Sequence, residues 1–164
     1  MRKKPATSLR ARALQYLARR EHSRAELRAK LLPHAQADDG FDAPPPQDVD
    51  VLLDDLAARG WLSDQRAASQ LVHAKRSRYG MQRIIHELRQ KGIGEEIISD
   101  ELATLGDSEA ATARDVWERK FGTPPCDAKE KARQIRFLQS RGFSMQTIIR
   151  LMRDAGQPLA EDDL

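Results

Sequence analysis

Apolar residues recur along this chain at the spacing of one helix face, and this periodicity constrains the fold more than any other feature. Intervals of three, four and seven residues place side chains on one side of an α-helix, whereas strict alternation would indicate a strand. The clearest stripes run from Val49 to Leu56, from Met81 to Leu88 and from Met145 to Met152. No segment shows a convincing strand pattern, so the sequence predicts an all-α fold.

Three of the predicted helices end on one shared motif, in which a basic residue precedes a glycine and a large apolar residue follows it. Glycine takes the left-handed conformation after a helix without a Cβ clash, and the apolar residue can fold back onto the helix. The motif predicts helix ends before Gly60, Gly92 and Gly142. Near the start of the chain, Ser23 followed three residues later by Glu26 predicts a capping box at a helix N-terminus.

These signals predict nine helices in three tandem three-helix modules. The helices are expected near residues 8–20, 23–32, 48–59, 64–79, 81–91, 95–105, 108–121, 127–141 and 144–154. The modules would span residues 8–60, 61–106 and 107–155, with an acidic, proline-rich flexible loop at 34–47 and a flexible tail at 156–164. Neighbouring modules of such an array bury each other's apolar stripes.

Composition limits the class of protein. Charged residues make up 32% of the chain and aromatic residues 5%, which is typical of a soluble protein with a modest core. No apolar run approaches the roughly 20 residues of a membrane-spanning helix. The basic start, Met1 to Pro5, lacks the apolar run of a secretion signal. We therefore expect a cytoplasmic protein without a membrane segment.

The motifs of common enzyme classes are missing. The single cysteine, Cys126, excludes an internal disulfide and a cysteine cluster for zinc. No glycine-rich phosphate loop is present, and Gln90 stands where a zinc-protease helix beginning at His86 would need its second histidine. We expect no catalytic residue, no metal and no cofactor. Five aromatic residues could stack on nucleic-acid bases, but their positions on helix stripes and at helix ends favour the core: Trp61, Trp117, Phe121, Phe137 and Phe143.

Charge is unevenly distributed, although the net charge is only +3. From Pro33 to Ala58 there is no lysine or arginine, whereas basic residues gather later in the chain. We predict a main partner- or DNA-binding face formed by Lys75, Arg76, Arg78, Arg83, Arg89 and Lys91, and a second patch formed by Arg133, Arg136 and Arg141. Cations near a helix C-terminus also stabilise the helix dipole, so a purely structural role is the alternative for some of these residues.

Several fragments recur in a characteristic order and spacing from about Leu9 to Met152. They are Glu21–Leu27 with Leu31, Gly60–Arg66, Arg76–Gly80 with Ile84 and Glu87–Leu88, Lys91–Ile93, Arg119–Gly122, Arg136–Leu138 and Arg141–Phe143. Together they resemble the RecX family. The resemblance implies an elongated protein of three three-helix repeats that lies in the groove of the RecA filament on single-stranded DNA. It also implies inhibition of the recombinase, ATPase and co-protease activities of that filament. A monomer is expected, and weak binding of double-stranded DNA stays open.

Two other functions compete with this interpretation. Short helix pairs with basic neighbours are also typical of helix-turn-helix transcription regulators, which would show a sharp preference for one duplex sequence. A helical adaptor that binds only proteins would show no affinity for DNA or for the filament.

Overall fold

The computed structural model describes residues 7–35, 48–106 and 108–156, and every regular element in these ranges is an α-helix. The helices are α1 Leu9–Arg19, α2 Arg24–Ala35, α3 Val49–Ala58, α4 Asp64–Lys75, α5 Met81–Gln90, α6 Glu95–Leu105, α7 Ser108–Lys120, α8 Ala128–Ser140 and α9 Met145–Gly156. The all-α prediction is therefore confirmed.

The predicted start and stop signals form as expected. The backbone N–H of Glu26 donates to Ser23 Oγ at 3.1 Å, and the Ser23 N–H donates back to Glu26 Oε2 at 3.1 Å, which completes the capping box. Gly60, Gly92 and Gly142 have φ values of +73°, +70° and +84°. Each is the left-handed residue after a helix, as the shared motif predicts.

Two helix ends differ from the sequence expectation by more than two residues. Helix α4 ends at Lys75 rather than at Tyr79. The residues that follow form a turn, in which the Arg78 N–H donates to the Lys75 carbonyl oxygen three residues back. Helix α2 continues through Pro33 to Ala35, so the first two residues of the predicted loop are helical. The remainder of that loop, residues 36–47, and the tail beyond Gly156 lie outside the described residues.

The contacts divide the chain into two compact units, each with its own apolar core. Of the described residues, the first unit comprises 7–35, 48–70 and 88–97, and the second comprises 71–87, 98–106 and 108–156. The core of the first unit contains Leu9, Ala13, Leu27, Leu31, Val49, Leu53, Leu56 and Leu62. The core of the second contains Ala113, Val116, Trp117, Leu138, Phe143, Ile148, Leu151 and Met152. The three module boundaries drawn from the sequence stay a prediction.

Across the ranges that the structure describes, no helix has both the length and the apolar character needed to cross a bilayer.

Candidate nucleic-acid interface

Three of the predicted binding residues converge on the ring of Tyr79 in the second unit. The Lys75 ammonium lies 5.0 Å from the ring centroid, the Arg83 guanidinium 4.4 Å and the Arg141 guanidinium 5.3 Å. All three distances fall within the range of cation–π attraction. The main face and the second patch predicted from the sequence therefore meet here, because Arg141 belongs to the second patch.

Backbone hydrogen bonds hold these segments together. The Gly80 N–H donates to the Arg141 carbonyl oxygen at 2.9 Å, and the Gln82 N–H donates to the Gly142 carbonyl oxygen at 3.2 Å. Arg83 adds a side-chain bond, in which Nη1 donates to the Ser140 carbonyl oxygen at 3.2 Å. The start of α5 is thus fastened to the turn between α8 and α9.

Glu109 on α7 reinforces this junction from the other side. Its Oε1 accepts the Met81 N–H at 3.0 Å, which satisfies a free donor at the N-terminus of α5. Its Oε2 accepts the hydroxyl of Ser144 at 3.1 Å and the hydroxyl of Thr147 at 2.7 Å, at the start of α9. One carboxylate therefore stabilises two helix N-termini, where negative charge also suits the helix dipole.

A second aromatic side chain, Phe137, extends the cluster. The Arg141 guanidinium lies 5.2 Å and the Lys120 ammonium 5.9 Å from its ring centroid. Beside these groups is a shallow cleft of about 240 Å³, lined by Arg78, Val116, Arg119, Lys120, Phe137 and Arg141. We call Tyr79 together with this cleft the cation–aromatic surface.

The positive charge of the cleft is largely uncompensated. Within the described ranges, no ion pair joins Arg78, Lys120 or Arg141 to a carboxylate. In the described part of the chain, Arg119 donates to the backbone carbonyl oxygens of Asp115 at 3.1 Å and Ser77 at 3.4 Å, which do not neutralise its charge. Cationic side chains that lie beside an aromatic ring without carboxylate partners create a positive electrostatic potential, which attracts an anionic group.

The other two basic residues at the junction, Lys75 and Arg83, both lie close to the carboxylate of Glu87. Lys75 Nζ and Arg83 Nε each lie 3.4 Å from a carboxylate oxygen of Glu87. Their charge is thus partly balanced, and Arg83 also bonds the α8 terminus. Lys75 and Arg83 therefore have a structural role within the second unit, whether or not they also contact a partner.

Arg89 and Lys91 lie in the first unit and are held in ion pairs. Arg89 makes two bonds to Glu95, of 2.6 and 2.9 Å. Lys91 Nζ lies 2.5 Å from Glu26 Oε1, and the Lys91 carbonyl oxygen accepts the Ser23 hydroxyl at 2.5 Å. These contacts dock the capping box of α2 on the end of α5.

The electrostatics of Glu26 reflect this docking. Burial acts to raise the pKa of its carboxyl group, but hydrogen bonds from Arg20 and Lys91 outweigh burial and lower the pKa to about 2. The carboxylate is therefore ionised at neutral pH and holds Lys91 in a structural contact.

The other predicted site residues are placed outside the cleft. Arg76 and Arg136 are exposed and form no ion pair in the part of the chain that the structure describes. Arg133 lies 3.6 Å from Glu130 and 5.6 Å from the centroid of the Phe121 ring. The second patch thus contributes mainly Arg141 to the cation–aromatic surface.

Sequence reasoning did not select Tyr79, Arg119, Lys120 and Phe137 as site residues. All four lie in or beside fragments that resemble the RecX family, and this position is the feature of the sequence that could have identified them. The expectation of a core position holds for Trp117 and Phe143 but is wrong for Trp61, which is 45% exposed. The Trp61 ring instead lies 5.7 Å from the Arg59 guanidinium.

The chemistry of Cys126 does not suggest a reactive site. Its exposed thiol donates a hydrogen bond to Glu130 Oε2 at 3.0 Å, and this bond to a carboxylate raises the pKa of the thiol. A raised pKa keeps the group in its less nucleophilic, protonated form at neutral pH. Among the described side chains, no group of three His, Cys, Asp or Glu residues is arranged to hold a metal ion.

Comparison with known proteins places these features in a family. Residues 63–102 match the model for the second three-helix domain of RecX, and residues 107–152 match the model for the third. The Regulatory protein RecX of Ralstonia pickettii (strain 12J) is 43% identical over 157 residues, covering 96% of this chain and 94% of the relative. That of Leptothrix cholodnii is 47% identical over 150 residues, covering 92% and 90%.

A solved structure shows the same fold. The crystal structure of RecX from Lactobacillus salivarius superposes with a TM-score of 0.70 at 19% identity, covering 90% of this chain and 94% of that one. The family models together span more than half of the chain, and the relatives match it almost end to end. The chain belongs to the RecX family of regulatory proteins.

Proposed function

We propose that this protein binds the RecA filament on single-stranded DNA and restrains it without chemistry of its own. The observation that carries the proposal is the cation–aromatic surface, whose cleft is lined by Arg78, Arg119, Lys120 and Arg141 together with Phe137. Among the residues that the structure describes, none of these four cations pairs with a carboxylate. Its setting in a chain of the RecX family directs the proposal to RecA.

The surface suits a single nucleic-acid strand. Guanidinium and ammonium groups bind backbone phosphates, and the half-buried rings of Tyr79 and Phe137 could pack against an unpaired base. Neither contact depends on sequence, which fits a regulator that must act along any filament. Binding as a monomer that spans neighbouring RecA protomers would hinder filament growth and turnover, because linked contacts raise the overall affinity.

The arrangement argues against sequence-specific reading of a duplex. A helix-turn-helix regulator places the N-terminal residues of one recognition helix in the major groove. Here the basic residues lie near the C-terminal ends of three helices. Arg78 follows α4, Lys120 ends α7 and Arg141 follows α8. Such a cluster can contact phosphates but presents no row of side chains to base edges.

The test is the ATPase activity of RecA on single-stranded DNA, titrated with this protein. We expect the rate to fall in a saturable manner, and Arg78→Ala/Lys120→Ala to need a higher concentration for the same effect. The matched control is Lys129→Ala/Lys131→Ala, which removes the same charge from exposed positions on α8 that do not line the cleft. An unchanged ATPase rate at large excess of the wild-type protein would disprove the proposal.

A further inference from the structure

Helix α9 exposes two large apolar side chains that the core of the second unit does not use. Met145 is 44% exposed and Ile149 is 57% exposed. They stand four residues apart and therefore share one face of the helix. Ile148, Leu151 and Met152 are buried and account for the contact of α9 with the core. Met145 and Ile149 thus form a second apolar side of α9, which does not pack into the core of the second unit.

Unpaired positive charge borders this apolar pair. Arg153 follows Ile149 by one helical turn, and Arg150 lies at the edge of the same exposed side. Neither arginine forms an ion pair with a carboxylate in the described ranges. Asp154, which follows Arg150 by one helical turn, lies 4.0 Å from Arg114. We call Met145, Ile149, Arg150 and Arg153 the α9 face.

The related helix α5 shows that these positions suit a packed surface. The segment from Met81 to Ile85 repeats the pattern of Met145 to Ile149, with methionine first and isoleucine fifth. In α5 both of these residues are half-buried, whereas in α9 both are exposed. The same methionine–isoleucine pair is therefore partly covered on α5 and left exposed on α9.

We propose that the α9 face binds a protein surface with an apolar patch bordered by carboxylates, distinct from the nucleic-acid contact of the cation–aromatic surface. This rests on the proposed function, in which that protein surface belongs to a RecA protomer of the filament. A phosphate backbone offers little apolar area to Met145 and Ile149, so burying these side chains against it would add little to the binding free energy. A protein partner gains from both halves of the face, because methionine and arginine are enriched at the core of protein interfaces.

The experiment compares Ile149→Gln with Val51→Gln as the matched control. Val51 on α3 is 63% exposed, so the control makes the same kind of change at another exposed apolar position. Binding is measured to the RecA filament on single-stranded DNA and, separately, to the bare strand. Ile149→Gln is expected to weaken filament binding about tenfold and to leave binding to the bare strand unchanged. Val51→Gln should change neither.

The possible outcomes separate this inference from the function on which it rests. If the wild-type protein binds the filament and Ile149→Gln binds it equally well, the α9 face is not the contact and only this inference fails. An equal loss on the bare strand would make the face a nucleic-acid contact instead. Concentration-dependent sedimentation of the wild-type protein that Ile149→Gln abolishes would assign it to self-association. If the wild-type protein does not bind the filament, the proposed function fails and this inference with it.

Discussion

The backbone of Gly80 lies directly against the backbone of Gly142. A Cβ atom added to Gly80 would stand 2.3 Å from the Gly142 carbonyl oxygen, far inside van der Waals contact. This close approach allows the hydrogen bonds of Gly80 and Gln82 across the junction, and it sets the Tyr79 ring beside the Arg141 guanidinium. The candidate site therefore depends on two glycines that themselves bind nothing.

Gly80→Ala is expected to destabilise the protein by about 2 kcal/mol or more, because the new methyl group meets backbone atoms that cannot move aside cheaply. Thermal unfolding followed by circular dichroism measures the change. Gly94→Ala is the control, since a Cβ there meets nothing within 4 Å. Equal melting temperatures for the two variants would contradict the close packing of Gly80 against Gly142.

Gly92→Ala is expected to cost more stability than Gly60→Ala. Both glycines have a left-handed φ, at +70° and +73°, so both variants incur strain of about 1 kcal/mol. Only at Gly92 would the new Cβ also lie 2.6 Å from the Ala25 Cβ. Urea unfolding of the two variants should show this difference, and indistinguishable free energies of unfolding would count against contact between Gly92 and Ala25.

Removal of two cations from the cleft is expected to reduce the salt dependence of binding to single-stranded DNA. If Arg78 and Lys120 each bind a phosphate, Arg78→Ala/Lys120→Ala lowers the slope of log affinity against log salt by about 0.7 for each phosphate that is no longer neutralised. Fluorescence anisotropy with a labelled oligonucleotide across a salt series measures the slope, and circular dichroism checks folding. A lower melting temperature with an unaltered slope would leave these residues with a purely structural role.

The ion pair of Glu26 predicts a specific dependence of stability on pH. The pKa of Glu26 in the folded protein, about 2, lies below its ordinary value of 4.5. Its stabilising contribution is therefore fully present above pH 4.5 and is lost as the pH falls through about 2. Relative to the wild-type protein, Glu26→Gln should lose on the order of 1–2 kcal/mol at pH 7, which is less than the full pKa shift would give because solvent screens the pair.

The difference between the two proteins should shrink as the pH approaches 2, because the wild-type carboxyl group then becomes neutral too. Chemical denaturation at pH 7, 4 and 2.5 measures it, and all other carboxyl groups are common to both proteins. A difference that does not change with pH would show that Glu26 acts through packing alone. Lys91→Ala removes the other half of the pair and is expected to lower stability as well.

The helices and their caps were predictable because the interactions that specify them are local. The apolar stripe of a helix, a serine followed by Glu26, and a glycine after the last turn all act within a few residues. The early end of α4 at Lys75 was not predictable in this way. It depends on the turn that carries Tyr79 and Gly80 to a partner far along the chain, at Gly142.

The sequence by itself determined the helical class, the positions of the glycine caps and the family fragments, because each is encoded in short stretches of neighbouring residues. Only the tertiary structure decided which basic side chains remain available for binding. Arg89 and Lys91 resemble their neighbours in the sequence, yet Glu95 and Glu26 hold them in ion pairs. Lys120 and Arg141 both lie beside the Phe137 ring and, within the described residues, pair with no carboxylate. The charge around a side chain is set by residues that folding brings near it from distant positions.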